Sequence, residues 1–244
     1  MKMIKLSILE LKKLFKSKGI YIGILIAIAF AVAIGLQAKA APQSFNSKHV
    51  FSFYGCISNL VLIVFASKSL ADEFQLKTST QIFTGKRSRV EIIVGKVLSL
   101  VLLSLIIAII GSILLIGFKV FLGEEMSIII AIKDIWTEVY TFVVYAFVVG
   151  SFAVLVASIN FNTTSTIVTN LAAFWIAPNV INMLTSRYKT LEKVFSYIPF
   201  YSADSLTSYH NVQTMAVISI IAFGCVFLMA ASITINKKDL RSDY

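Results

Sequence analysis

Residues 97–118 read VLSLVLLSLIIAIIGSILLIGF, twenty-two positions without Asp, Glu, Lys, Arg or His. At about 1.5 Å rise per residue this run makes a helix about 33 Å long, enough to cross the hydrocarbon of a bilayer while satisfying its own backbone hydrogen bonds. Its apolar residues adjoin rather than alternate, which excludes the strand of an outer-membrane barrel. Five further charge-free runs accompany it, at 19–36, 50–67, 139–159, 167–184 and 212–235. The sequence therefore predicts an all-α integral membrane protein, a single transmembrane domain over 1–244 with six transmembrane helices.

Composition agrees with that reading. Of 244 residues 58% are hydrophobic and 14% charged, with a mean hydropathy of +0.87, which excludes a water-soluble globule. Cys56 and Cys225 both fall in apolar runs and read as small packing residues, not as a disulfide framework or a metal site. The net charge of +10 is unevenly spread. Fifteen Lys and Arg fall in 1–18, 68–96 and the C-terminal tail, against seven in 37–49, 119–138 and 185–211. The positive-inside rule thus predicts both termini and the 68–96 loop in the cytoplasm. The charge orients the chain and meets lipid headgroups; nucleic acid is excluded, since no base-stacking aromatics are interleaved with these lysines. Ala38-Lys39-Ala40 after the first span has the small-residue look of a signal-peptide cleavage site, but the 18-residue run before it is too long for a signal core and is expected to stay as a span.

The spans contain no ionisable group to bind or relay a coupling ion, which argues against an ion-coupled carrier. Neither Gly-x-Ser-x-Gly nor His-Glu-x-x-His occurs, and no catalytic residue or metal ligand is expected. Gly85-Lys86-Arg87-Ser88 has the ending of a nucleotide-binding loop, but Thr80 replaces its first glycine, so it reads as a basic turn at the membrane surface.

Within the first span, Gly19, Gly23, Ala27, Ala31 and Gly35 recur at every fourth position and form a stripe that admits a close helix neighbour, in the same chain or in a second copy. Asn59 in the second span and Asn170, Asn179 and Asn182 in the fifth are amides that should face protein or a cavity, bonding between helices or lining a path. Pro178 predicts a kink in the fifth span.

The connecting segments carry the remaining signal. Residues 2–16 form an amphipathic helix, with Ile4, Ile8, Leu11 and Phe15 along one face and Lys2, Lys5, Lys12, Lys13 and Lys16 opposite, while Leu6 and Leu9 fall off the stripe. This helix, within 1–18, is expected to lie along the inner leaflet. The 68–96 loop reads as a short cytoplasmic helix and turn: Asp72 and Glu73 near a helix start, an apolar set including Phe74, Leu76, Ile82 and Phe83 suited to a protein contact, and Arg87, Arg89 and Lys96 at the return to the headgroups. Residues 185–211 hold Tyr188, Phe195, Tyr197, Phe200, Tyr201 and Tyr209, a density that suits partial re-entry into the outer interface.

Together these features resemble the membrane subunit of a bacterial ABC-2 type exporter, and the loop carries the most specific part of the likeness. The family commonly has an acidic residue, a Gly-Thr step, an apolar pair, Pro-x-Ser-Arg, and Gly-Lys or Ala-Lys opening the third span. Here stand Glu73, Thr78, Ile82-Phe83, Ser88-Arg89 and Gly95-Lys96, with Lys77 and Lys86 in place of the usual glycine and proline. The resemblance implies a homodimer, or a heterodimer with a similar permease, in the bacterial cytoplasmic membrane, with two separate cytoplasmic ABC ATPase subunits that bring ATP and magnesium. It implies that a coupling helix over 72–85, with Asp72, Glu73, Phe74, Leu76, Thr78, Ile82 and Phe83, docks in the ATPase. By the same analogy the second and fifth spans line the path, making Asn59, Asn170, Trp175 and Asn179 candidates. Uncharged spans suit an apolar or amphipathic cargo, and exporters of this look often move peptides, as in lantibiotic immunity or phenol-soluble-modulin export. The alternative is a non-transporting scaffold or sensor that docks a cytoplasmic partner through the same loop.

Overall fold

The computed structural model describes residues 2–78, 83, 88–188, 194, 195, 197–209 and 214–237. Among the described residues there are helices and no strands. In chain order the helices are α1 (Lys2–Phe15), α2 (Lys18–Ala40), α3 (Ser47–Gln75), α4 (Arg89–Leu122), α5 (Ile128–Asn160), α6 (Thr163–Arg187), α7 (Pro199–Tyr209) and α8 (Thr214–Lys237). Six of these, α2 to α6 and α8, are long and apolar enough to cross a membrane. α3 and α5 are the most buried of the six and α6 the least.

The helices outrun the charge-free segments because good caps lie beyond them. α4 begins at a reciprocal cap: Ser88 Oγ accepts the Glu91 N–H at 3.1 Å and Glu91 Oε2 accepts the Ser88 N–H at 3.3 Å. It ends at Gly123, whose φ of 71° closes the last turn. α5 opens at Ser127, whose hydroxyl accepts the Ile130 N–H, so residues 128–138 are helical and not a loop. α3 runs on to Gln75. Asp72 and Glu73 are therefore in the last turns of the second span, not at the start of a separate helix, and the macrodipole there opposes them. What holds them is a set of specific partners described below.

α2 lays its small-residue stripe on its own chain. Ala27 and Ala31 are buried, a Cβ on Gly19 would stand 3.4 Å from Phe65, one on Gly23 would stand 2.6 Å from Val61, and one on Gly35 would overlap Phe118. The close neighbours are thus α3 and α4 of the same chain. In α6 the disturbance expected from Pro178 takes the form of a π turn over Ala172–Ile176. Proline offers no N–H and its ring crowds the carbonyl four residues back, that of Phe174, so a widened turn makes room.

The aromatic segment before the last span folds back onto the bundle as α7. Phe200 meets Phe152 and Phe174 edge-on at ring-centroid distances of 5.2 and 5.0 Å and stacks on Phe227 at 6.3 Å, while Ala203 and Leu206 are buried. α1 packs along α4. Leu11, Leu14 and Phe15 join the main core, whereas Ile4 and Ile8 of the predicted stripe are exposed, as a lipid-facing edge would be.

Candidate functional site

Four charged side chains from three helices meet where α1 crosses the ends of α3 and α4. Lys96 of α4 has no solvent exposure and Glu73 of α3 only 2%. The Lys96 ammonium donates to Glu73 Oε1 at 2.7 Å, to the Ser69 carbonyl at 2.7 Å and to Glu10 Oε2 of α1 at 3.1 Å. All three of its protons are used. Lys13 of α1 donates to the same Glu73 Oε1 at 2.7 Å. Burial alone would lower the Lys13 ammonium, but the hydrogen bond to Glu73 and the attraction of Glu73, Glu10 and Asp72 outweigh it and hold it above the ordinary lysine value. Two carboxylates and two ammoniums make the cluster formally neutral, which is what allows charge to be buried there.

The residue before Lys96 explains how α1 comes so close. A Cβ on Gly95 would stand 2.7 Å from Leu6 Cδ2, so the glycine admits Leu6 to the surface of α4. Leu6, off the predicted stripe, is thus the residue that seats the helix. Gly95-Lys96 works as a unit, with the glycine giving approach and the lysine giving the ionic tie. Lys96 was expected at the headgroups; the structure places it inside the protein, because Glu73 and Glu10 compensate its charge.

The end of α3 is bound on its other side as well. Asp72 Oδ1 accepts the Thr163 hydroxyl at 2.8 Å, and Gln75 Oε1 accepts the Thr163 N–H at 3.4 Å, fixing the start of α6. Phe74, 2% exposed, meets Phe161 at 4.4 Å edge-on and stacks on Phe83 at 6.0 Å. Arg89 Nη1 donates to the Ile235 carbonyl of α8 at 2.6 Å. α3 then closes with paired bonds from Thr78 N–H to the Glu73 carbonyl and from Lys77 N–H to the Phe74 carbonyl, at 3.0 and 3.1 Å, around Lys77 at φ 56°. Lys77 stands where the resemblance has glycine, and its left-handed backbone is the conformation glycine favours.

Of the residues assigned to a partner contact, Glu73, Phe74 and Phe83 are buried within the chain and Asp72 is engaged by Thr163. Leu76 is 71% exposed and Thr78 is exposed beside it. Ile82 and Arg87 lie outside the described residues. Among the described residues of that set, the exposed ones, Leu76 and Thr78, lie in the tip 75–78, and the buried members hold that tip in place.

The path candidates do not converge on one point. Asn59 is buried and donates from Nδ2 to Thr207 Oγ1 of α7 at 2.8 Å. It lies about 18 Å along α3 from Ser47 at 1.5 Å per residue, so α7 reaches well into the bundle. Asn170 is buried and donates to the Thr166 carbonyl at 2.8 Å. Neither amide oxygen has a hydrogen-bond partner among the described residues. Trp175 and Asn179 open outward instead, with Asn179 Nδ2 donating to the Trp175 carbonyl at 2.6 Å. Glu10 of α1 carries no role in the sequence analysis, yet it accepts one of the three Lys96 protons. A single acid among the five lysines of residues 2–16 was the available signal.

The sequence profile of a family described as ABC-2 family transporter protein matches residues 7–184, from α1 to near the end of α6. No curated protein matches the chain. In this family the membrane component associates with ABC ATPase partners. With six candidate spans, and with the profile covering most of its length, the chain belongs to the ABC-2 transporter family as a multi-pass membrane permease subunit of an ABC transporter.

Proposed function

We propose that this chain is the transmembrane subunit of an ATP-driven exporter of apolar or amphipathic cargo, with peptide the favoured class, and that the tip 75–78 is where ATPase movement enters it. The observation that carries the reading is the fastening of that tip. Leu76 and Thr78 are exposed, while the residues just before them are tied to α1, α4 and α6 through Glu73, Lys96 and Thr163. A push on the tip therefore reaches several helices together.

The excess of basic residues at the α1 end supports an orientation with that end, and both termini, in the bacterial cytoplasm. ATP and magnesium belong to two separate ATPase subunits, and this chain is non-catalytic. A second permease, identical or similar, is proposed to cover α6. That helix is the least buried span and presents Asn179 outward, a group that hydrocarbon solvates poorly. Trp175 and Asn179 would then face the path between subunits, with Asn59 and Asn170 shaping its wall.

Affinity purification from cross-linked native membranes, with mass spectrometry of the recovered proteins, tests this reading. Near-stoichiometric recovery of a Walker-motif ATPase is expected. Recovery of a non-ATPase partner alone would overturn the exporter and favour the scaffold.

A further inference from the structure

At the end of the bundle away from α1, a cavity of about 210 Å³ opens between the start of α3, the end of α4 and the first turns of α5. Lys48, Lys119 and Lys133 line it, with Asp134 and Glu138, against an apolar wall that includes the buried Phe51. These are three of the seven basic residues assigned to this side of the membrane, where the positive-inside rule disfavours them. Lys119 is committed to Asp134. Lys48 and Lys133 are exposed and in no ion pair among the described residues.

The first turns of α5 also show what solvent the cavity faces. Ile128, Ile129, Ile132 and Trp136 are between 62% and 81% exposed, on the side of the helix opposite the lining residues Lys133, Asp134, Thr137 and Glu138. A tryptophan with exposed isoleucines is the signature of the headgroup level of a bilayer. The cavity therefore opens among lipid headgroups, with two ammoniums at its rim and carboxylates further along its wall.

We infer that this cavity is a binding site for the headgroup of a zwitterionic phospholipid of the outer leaflet. The phosphodiester takes Lys48 and Lys133, and the headgroup ammonium turns toward Asp134, the part-exposed carboxylate of the cavity wall. The assignment to the outer leaflet rests on the orientation proposed above; the lipid site itself does not.

Native mass spectrometry of the full chain in detergent tests it, with phosphatidylethanolamine and a diacylglycerol of the same acyl chains as probes. The Lys48→Gln/Lys133→Gln double variant should lower the phosphatidylethanolamine adduct roughly tenfold and leave the diacylglycerol adduct unchanged. Both lysines are exposed, and an unchanged melting temperature of the variant confirms that it is folded. Equal retention of phosphatidylethanolamine by both proteins would overturn the site. Displacement of the lipid by millimolar inorganic phosphate would also overturn the lipid assignment in favour of a free-phosphate site. Separately, Lys133→Cys in a Cys56→Ser/Cys225→Ala background should react with an impermeant maleimide on intact cells. Reaction only in inverted vesicles would contradict the orientation and leave the binding result standing.

Discussion

Lys96 and Glu73, both nearly devoid of solvent exposure, stand 2.7 Å apart and join α4 to α3 at the end of the bundle that carries α1. Buried ion pairs add little net stability over an apolar pair of the same size, but they are costly to break, because the surviving charge is left without compensation. The same carboxylate oxygen takes Lys13 and the same ammonium takes Glu10, so α1 is fastened to both spans through one shared pair.

The first prediction is a non-additivity. Lys96→Met should cost about 3–5 kcal/mol, since Glu73 keeps only the half-exposed Lys13. Glu73→Gln should cost a similar amount. The Glu73→Leu/Lys96→Met double variant should recover much of either loss, leaving Glu10 and Lys13 to pair with each other. Unfolding midpoints in detergent for the two single variants and the double variant check this.

Lys13 should behave differently from Lys96. Its side chain is 57% exposed, so Lys13→Gln should cost under about 1 kcal/mol. Its ammonium is held above the ordinary lysine value, so its contribution is fully present below that value and falls as the pH climbs through the folded-state pKa. The difference in stability between wild type and Lys13→Gln should stay flat across physiological pH and shrink only at strongly alkaline pH. A pH series of unfolding midpoints for both proteins measures it.

Gly95 should be coupled to Leu6. Gly95→Ala puts a methyl 2.7 Å from Leu6 Cδ2 and should cost about 1–3 kcal/mol. In a Leu6→Ala background the same change should cost far less. A double-mutant cycle, with protease sensitivity of α1 as a second readout, checks the coupling.

Lys77→Gly should stabilise the end of α3 by about 0.5–1 kcal/mol, because it relieves a left-handed backbone at a lysine. Lys77→Val, whose branched side chain resists that conformation, should destabilise. Comparative unfolding midpoints separate the two.

The six spans were legible because lipid tolerates so little charge: the runs at 97–118 and its five companions could hardly be anything else. Their ends were not legible, because Ser88, Gly123 and Ser127 set the termini through caps that lie outside the apolar runs. Gly95-Lys96 was visible as a motif, yet its meaning depends on Glu73 and Glu10, which are distant in sequence and face it only after folding. The stripe from Gly19 to Gly35 announced a close neighbour without naming it; Val61 and Phe118 supply the answer. The aromatic density of 185–211 marked α7, but its depth follows from the bond between Asn59 and Thr207.

The most direct measurement of the central claim is a photoactivatable cross-linker at Leu76, exposed on the tip of α3, in native membranes. The same probe at Ile129, on the opposite end of the bundle, serves as the comparison. Ultraviolet activation should join Leu76 to a cytoplasmic protein with Walker motifs and leave Ile129 joined to lipid alone. A Leu76 probe that captures no ATPase, or an Ile129 probe that does, would contradict the account.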